Sequence, residues 1–274
     1  MHAPAVTHIE PTRGWASLRL RELWAYRELL YFLALRDVKV RYKQTAIGAA
    51  WAVLQPLTVM VIFTLVFGRV ANLSSEGAPY ALFALAALVP WTYFASYLQS
   101  ASLSLSSNVN LVSKVYFPRL CLPIAAVLAG LVDLAVSTAV LLVVTLISGR
   151  LGVEVLVTPL LVLLLIAACL GPALWLAAIN VKYRDVRQIV PFLIQVLLFL
   201  SPVAYSATLI EGRLLYLYAL NPMVGVIEGF RWAFLGSDRD IGVVMLISTW
   251  SALALLVGGA YYFRRFERSF ADLI

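Results

Sequence analysis

Charge is scarce in this chain of 274 residues, of which 13% are charged and 62% are hydrophobic. A globular protein has about 25% charged residues, and with half of that charge missing, water would not keep the surface in solution. The mean hydropathy of +0.91 leads to the same conclusion. The composition therefore excludes a soluble globular protein and predicts an all-α polytopic membrane protein.

Groups that carry out catalysis or bind metals are also few. The only histidines, His2 and His8, lie in the N-terminal tail. The rest of the chain therefore has no histidine for a histidine-based metal site or a nucleophilic triad. A phosphate-binding loop of the Gly-x-x-x-x-Gly-Lys-Ser/Thr type is missing, so we expect no ATP site in this chain. Cys121 and Cys169 are expected to be packing residues without a disulfide. We predict no catalytic residue, no metal and no cofactor in this chain.

Positive charge is present, with a net charge of +7, and it is concentrated at the ends of apolar runs. With a cytoplasmic N-terminus, 16 of the 21 Lys and Arg residues fall on the cytoplasmic side of the predicted spans, as the positive-inside rule requires. This distribution indicates contact with anionic lipid headgroups rather than nucleic acid. Both termini are therefore expected in the cytoplasm. Residues 1–46 show no cleavable signal peptide, and the first span is expected to direct insertion.

Six apolar runs predict transmembrane helices, since about 20 apolar residues cross the hydrocarbon core of a bilayer. Their approximate bounds are 47–67, 80–97, 122–147, 155–179, 186–200 and 241–263. Gln55-Pro56 predicts a kink in the first span, and Gly171-Pro172 predicts a break in the fourth.

The regions outside the spans complete the predicted organisation. Residues 15–31 carry an apolar and a polar face, which is typical of a helix that lies in the membrane interface. The domain prediction is a cytoplasmic tail and interface helix in 1–46, a single membrane domain in 47–263 and a cytoplasmic tail in 264–274.

A polar connector at 99–119 separates the second and third spans. A Ser or Asn can cap a short helix there, and Pro118 would end it. A short cytoplasmic helix of this kind is either a docking element for a soluble subunit or a plain interfacial connector. The residues predicted to dock such a subunit are Asn108, Leu111, Val112, Lys114, Val115, Tyr116 and Arg119.

Residues 203–235 are too apolar for a free loop and too interrupted for a span. Two short helices that dip into the bilayer from one side would fit this pattern, with Asn221-Pro222 between them. Glu228 and Arg231 are three residues apart on the second helix and are predicted to form an ion pair.

Asp133 is the one carboxylate predicted deep in a span. Burying its charge costs roughly 2.5–3.5 kcal/mol, so it requires a partner, a wet cavity or a proton. We favour a structural carboxylate that is hydrogen-bonded to Ser or Thr on a neighbouring helix over a proton-coupling residue.

Aromatic residues make up 12% of the chain, and several lie towards the ends of the first two spans. Most membrane aromatics anchor at the interface, but the same side chains would also stack on sugar rings in a pore. Composition leaves both roles open. The candidate channel residues are Tyr42, Trp51, Trp91, Tyr93, Phe94 and Tyr97.

Five sequence motifs together resemble those of ABC-2 type permeases that export polysaccharides, in order from about residue 20 to the end. They are Arg41-Tyr42-Lys43-Gln44-Thr45-Ala46-Ile47-Gly48 with Trp51 and Gln55-Pro56, residues 108–119, Tyr183-Arg184-Asp185-Val186, Ser201-Pro202-Val203, and Asn221-Pro222-Met223 with Glu228-Gly229-Phe230-Arg231.

The resemblance implies a half-transporter of the bacterial inner membrane. Two copies of the chain would form the channel, and two separate ATPase subunits would bind ATP and Mg²⁺ on the cytoplasmic side. The substrate class is a lipid-linked polymer, and we favour O-antigen-type polysaccharide on undecaprenyl diphosphate over capsular polysaccharide or teichoic acid. Residues 108–119 would be the coupling helix and 15–31 the interface helix.

The resemblance also implies that the helix pair in 203–235 is an outer gate. Its candidate residues are Tyr205, Tyr218, Asn221, Pro222, Glu228 and Arg231. Two other classes of protein compete with this interpretation. One is a proton-coupled carrier that uses Asp133, and the other, which ranks last, is a membrane-embedded sugar-lipid enzyme.

Overall fold

The computed structural model describes residues 20–43, 50–183, 185–210, 212–236, 241–267 and 270. These residues contain helices and no strand, which confirms the all-α class for the described part of the chain. Its α-helices are α1 Leu20–Ala25, α2 Arg27–Tyr42, α3 Ala50–Phe63, α4 Tyr80–Ser107, α5 Val109–Lys114, α6 Cys121–Ala129, α7 Leu131–Ile147, α8 Thr158–Lys182, α9 Val186–Phe199, α10 Arg213–Ala219, α11 Pro222–Leu235 and α12 Gly242–Phe266. A π-helical segment, Thr64–Val70, continues α3.

Five helical stretches in the described residues are long and apolar enough to cross a membrane. They are Val53–Val70, Tyr80–Ser107, Cys121–Ile147, Val153–Lys182 and Gly242–Phe266. They correspond to five of the six predicted spans. The fifth predicted span is α9, an apolar helix of 14 residues. At 1.5 Å per residue it is about 21 Å long, against roughly 30 Å for the hydrocarbon core.

The second predicted span extends further than the sequence suggested. α4 continues to Ser107, so residues 99–107 belong to this helix and not to the polar connector. The serine hydroxyls make this possible, because Ser104 and Ser106 donate to the carbonyls of Ala101 and Leu103, at 2.7 and 3.0 Å. Polar side chains that bond to the backbone of their own helix can be buried without breaking it.

The predicted break at Gly171-Pro172 is wrong, because α8 runs through it without interruption. Gly171 lies at a close approach of α8 to α12: a Cβ atom there would be 2.8 Å from the backbone nitrogen of Leu256. The glycine therefore serves helix packing. The third span instead divides at Gly130, between α6 and α7, where a Cβ atom would lie 2.4 Å from the ring of Tyr97.

α4 lies at the centre of the hydrophobic core. Its residues from Leu82 to Trp91 are all buried, and it packs against α8, α6, α11, α3 and α7. α12 packs along α8 and α11. Cys121 and Cys169 are free and buried, as predicted.

The described part of the predicted interface helix, residues 20–31, comprises α1 and the start of α2, and α2 packs against α6. Trp24 is 72% exposed, whereas Leu33 is buried in a second hydrophobic cluster with Val112, Phe117 and Phe263. α2 continues to Tyr42, well beyond the predicted end at residue 31. The predicted tail 1–14, the motif residues 44–48 and Arg184 lie outside the described residues.

Candidate functional site

A polar cluster joins α2, α4 and α7. The last turn of α2 carries Arg41 and Tyr42, and the first turn of α7 carries Asp133. Arg41 forms an ion pair with Asp133 and also donates to the hydroxyl of Tyr97 on α4. The hydroxyls of Tyr42 and Tyr97 donate to the same carboxylate. The guanidinium of Arg41 lies 4.8 Å from the ring centroid of Tyr97.

The prediction that Asp133 has a partner is confirmed, but the expected Ser or Thr partner is wrong. One cation and two phenols contact it, because the cation-rich end of α2 passes the start of α7. Burial and the hydrogen bond to Asp133 raise the pKa of Tyr42 to about 12, so this phenol keeps its proton at neutral pH. Donors of the chain itself thus partner the carboxylate. No three His, Cys, Asp or Glu residues in the described part of the chain gather as metal ligands would.

A cavity of about 500 Å³ lies beside this cluster, between α2, α4 and α6. Its polar lining includes Arg36 and Arg41, the carboxylate of Asp37, which forms an ion pair with Arg36 at 2.8 Å, and a row of serines at the end of α4. Its apolar wall is formed by alanines of α6. The lining residues that show this division are Ser100, Ser104, Ser107, Asn108, Leu122, Ala125, Ala126 and Ala129.

The candidate channel aromatics fall into two groups. Trp91, Tyr93, Phe94 and Tyr97 are at most 6% exposed and pack α4 against its neighbours. For example, the Tyr93 hydroxyl donates to the carbonyl of Val127 at 2.9 Å. Trp51 is 58% exposed and Tyr42 is half-buried. The four buried rings are packing residues of one protomer, and a channel-lining role stays a prediction.

The predicted docking helix exists but is shorter than expected. α5 ends at Lys114, because Val115 is extended, and Pro118 therefore does not end it. Asn108 does not cap α5 with its side chain. Its amide donates instead to the carbonyl of Ser104 at 2.8 Å, which satisfies the end of α4.

The predicted docking residues face in different directions. Tyr116 and Val115 are 66% and 51% exposed, and Lys114 is exposed too. Val112 is 4% exposed, and Leu111 packs beside it in the second cluster. Arg119 turns towards the end of α12, where its guanidinium donates to the carbonyl of Glu267. Only the stretch 114–116 thus offers a continuous free surface among these residues.

The predicted division of residues 203–235 at Asn221-Pro222 is confirmed, with α10 before it and α11 after it. The Asn221 side chain accepts a hydrogen bond from the Met223 amide at 3.1 Å, as an N-cap does. Its amide group donates to the Leu200 carbonyl at 3.1 Å and the Ser201 hydroxyl at 2.9 Å. One side chain therefore starts α11 and fixes it to the end of α9.

The predicted pair between Glu228 and Arg231 is confirmed, with a distance of 3.0 Å. Both side chains are almost fully buried inside the protein. The guanidinium donates to the carbonyls of Val203 and Tyr205, each at 3.1 Å, and lies 3.6 Å from the ring centroid of Phe83. The sequence did not predict these three further contacts, because the residues that make them are too far apart in the chain for a spacing pattern to relate them.

Tyrosines stand beside this pair. The Tyr205 and Tyr218 hydroxyls are 2.9 Å apart, and Tyr205 also donates to the carbonyl of Phe199. Pro222 is buried at the first turn of α11. The contacts hold the segment around residues 201–206 against α10 and α11, whereas its role as a gate stays a prediction.

Comparison with known proteins agrees with this architecture. The sequence profile of the ABC-2 type transporter family matches residues 28–235. The O-antigen export system permease protein RfbA of Myxococcus xanthus is 29% identical over 258 residues, which is 93% of this chain and 98% of that protein. RfbA of Klebsiella pneumoniae is 23% identical over 90% of this chain and 95% of its own length. The polysialic acid transport protein KpsM of Escherichia coli is 25% identical over 86% of this chain and 92% of its own length. Since the profile covers most of the chain, the protein belongs to the ABC-2 type transporter family.

Proposed function

We propose that this chain is the transmembrane subunit of an ABC exporter that moves O-antigen-type polysaccharide across the bacterial inner membrane. The observation that carries this proposal is a family match across most of a multi-pass membrane domain, together with relatives named O-antigen export permeases that align over nearly their full length. The O-antigen export permease of Myxococcus xanthus is 29% identical over 93% of the chain, against 25% over 86% for the polysialic acid transport relative, so we favour an O-antigen-type polymer.

Two copies of a separate ATPase subunit would power a homodimer of this chain. Two features support this division. The sequence has no phosphate-binding loop, and the stretch 114–116 exposes an aromatic residue, an aliphatic residue and a cation beside buried Val112. An exposed aromatic anchor is the usual centre of a protein interface. ATP and Mg²⁺ would thus be bound by the partner.

The cavity between α2, α4 and α6 supports a role in receiving a lipid-linked substrate. Its serines, and its two arginines, which pair with Asp37 and Asp133, offer hydrogen-bond donors to a polar head group, and its apolar wall suits a hydrocarbon chain. Undecaprenyl diphosphate carrying a glycan has both parts. The polymer would then pass to the opposite side, where the segment around Asn221 and Tyr218 would act as the outer gate.

Reconstitution of the purified chain with its cognate ATPase and an undecaprenyl-diphosphate-linked glycan tests the proposal. The chain alone should hydrolyse no ATP, and the complex should hydrolyse ATP and transport the glycan into inverted vesicles. ATP hydrolysis by the isolated chain, or a complex that leaves the glycan in place, would contradict it.

The docking surface is tested separately with a matched pair of substitutions. Tyr116→Asp should leave the amount of folded chain unchanged and weaken association with the ATPase roughly tenfold, which corresponds to about 1.4 kcal/mol. Val112→Asp buries an unpaired charge and should instead lower the amount of folded chain in the membrane. Equal co-purification of wild type and Tyr116→Asp with the ATPase would contradict the docking assignment.

A further inference from the structure

The segment that follows α5 is attached to the C-terminal end of α12 by two hydrogen bonds. The backbone amide of Arg119 donates to the carboxylate of Glu267 at 2.9 Å, and the Arg119 guanidinium donates to the Glu267 carbonyl. These residues are 148 positions apart in the chain. The same guanidinium lies 5.9 Å from the ring centroid of Phe270. Arg119 therefore acts within the protomer and not on its surface.

The attachment continues to the first helix. Arg264, at the last turn of α12, donates to Glu267 at 2.8 Å and forms an ion pair with Glu22 of α1 at 3.5 Å. The Arg264 side chain is only 9% exposed, so water screens these contacts weakly. Two cations and two carboxylates thus connect three elements that are remote in sequence.

A hydrophobic layer lies beneath these charges. Phe117 is buried in the second cluster with Val112, Leu33 and Phe263. The Phe263 and Phe270 rings meet edge to face, with centroids 5.3 Å apart. The stretch 114–120 is therefore exposed at Tyr116, buried at Phe117, and bonded to α12 at Arg119. The exposed Tyr116 is thus three residues from Arg119, whose contacts lead to α12 and, through Arg264, to α1.

We propose that Arg119, Glu267, Arg264 and Glu22 form a transmission network that passes movement of the docking segment to α12 and α1. The four are positioning residues, because they act through helices and touch no nucleotide or polymer. Arg264 contacts two carboxylates and Glu267 accepts from two residues, so the contacts can shift between partners as the helices move. This inference rests on the proposed function, since it assumes that an ATPase binds at the stretch 114–116.

The main test is Glu267→Ala in the chain assembled with its ATPase in vesicles. This change removes the acceptor of the Arg119 amide and the partner of Arg264 together. We expect association with the ATPase to stay within about twofold of wild type, while export per hydrolysed ATP falls about tenfold, which corresponds to about 1.4 kcal/mol. The matched control is Glu28→Ala, which removes an exposed acidic residue of α2 and should leave export unchanged.

A conservative variant separates transmission from folding. Glu267→Gln keeps an oxygen that accepts from the Arg119 amide but lacks the charge that pairs with Arg264. It should restore most of the export that Glu267→Ala loses. If Glu267→Ala fails to fold, Arg119→Ala decides the question, because it removes the guanidinium contact to the Glu267 carbonyl and leaves the contact between Glu267 and Arg264 in place. Hydrogen exchange at the Arg119 amide gives a readout that needs no ATPase, and it should speed up in Glu267→Ala and stay slow in Glu267→Gln.

The outcomes distinguish this inference from the function on which it rests. Unchanged export per ATP in both Glu267→Ala and Arg119→Ala overturns the network. Loss of ATPase association together with export also overturns it and assigns these residues to docking alone. A wild-type chain that binds no ATPase contradicts the proposed function itself, whatever the variants do.

Discussion

Two ion pairs lie against the same helix, and their surroundings differ. Arg231, paired with Glu228, lies over Phe83 near the start of α4, and Arg41, paired with Asp133, lies over Tyr97. The two rings are fourteen residues apart on α4, or about 21 Å at 1.5 Å per residue. The side chains of Arg231 and Glu228 are 2% and 4% exposed, whereas those of Arg41 and Asp133 are 43% and 20% exposed.

This difference in exposure predicts that the two ion pairs contribute differently to the stability of the fold. Removing one partner of a buried pair leaves a charge in a medium of low dielectric constant, which is strongly destabilising. Water can replace the partner of a half-exposed charge, so such a pair contributes little to stability and opens easily. The Arg231 pair is therefore expected to stabilise its end of the fold more than the Arg41 pair stabilises the other end.

The largest effect is expected from Arg231→Met. It leaves the carboxylate of Glu228 without its cation and the carbonyls of Val203 and Tyr205 without their donor. The free energy of unfolding should fall by about 3–5 kcal/mol. Thermal unfolding in detergent measures this, with Arg41→Met as the matched change at the exposed pair. An equal loss of unfolding free energy in the two variants would contradict the predicted difference between the two ion pairs.

A smaller effect is expected from Gly130→Ala, which strains the half-exposed cluster through packing. The new Cβ atom would lie 2.4 Å from the Tyr97 ring and would push its hydroxyl away from Asp133. Overpacking of this kind costs about 1–3 kcal/mol. Gly258→Ala is the control on α12, since its nearest contact, with Trp175, would be 3.2 Å. A larger loss for Gly258→Ala in the same unfolding assay would be inconsistent with the close packing at Gly130.

Tyr218→Phe should have a modest effect at the other end. It removes the hydroxyl that bonds Tyr205 at 2.9 Å beside the buried pair, and an ordinary hydrogen bond contributes about 0.5–1.5 kcal/mol. Tyr216→Phe is the matched control, because Tyr216 is 53% exposed on the same helix. If both variants unfold at the wild-type temperature, the tyrosine contact does not stabilise this segment.

The smallest effect is expected from Asp133→Asn. The amide keeps acceptor capacity for Arg41, Tyr42 and Tyr97, and the Arg41 side chain that loses its ion pair is 43% exposed, so the free energy of unfolding should change by about 0–1 kcal/mol. Export should persist and should depend on ATP without a proton gradient. If export is lost while folding and ATPase binding persist, Asp133 carries protons and the carrier hypothesis gains support.

Local features of the fold could be predicted from the sequence. Long apolar runs gave five helices of spanning length, and Asn221-Pro222 separates two short helices because Asn caps and Pro starts a helix. Glu228 and Arg231 pair because a spacing of three residues puts them on one helical face. Each of these signals acts within a few residues of the chain.

Contacts between remote segments could not be predicted in the same way. Arg41 and Asp133 are 92 residues apart, and no periodicity relates them. Gly171 was misinterpreted for a related reason. A glycine beside a proline suggests a break in isolation, but here it admits the backbone of α12. The aromatics of α4 show the same limit, because burial depends on which helices surround α4.

The central position of α4 also determines how the protein responds to membrane thickness. With 28 residues, α4 is about 42 Å long, well beyond a hydrocarbon core of roughly 30 Å, but protein covers most of its surface. The first span, Val53–Val70, has 18 residues, or about 27 Å, and only 6% of it is buried inside the chain. Hydrophobic mismatch acts where lipid touches a helix. Wherever lipid covers the first span, a thicker bilayer would therefore strain that span before it strains α4.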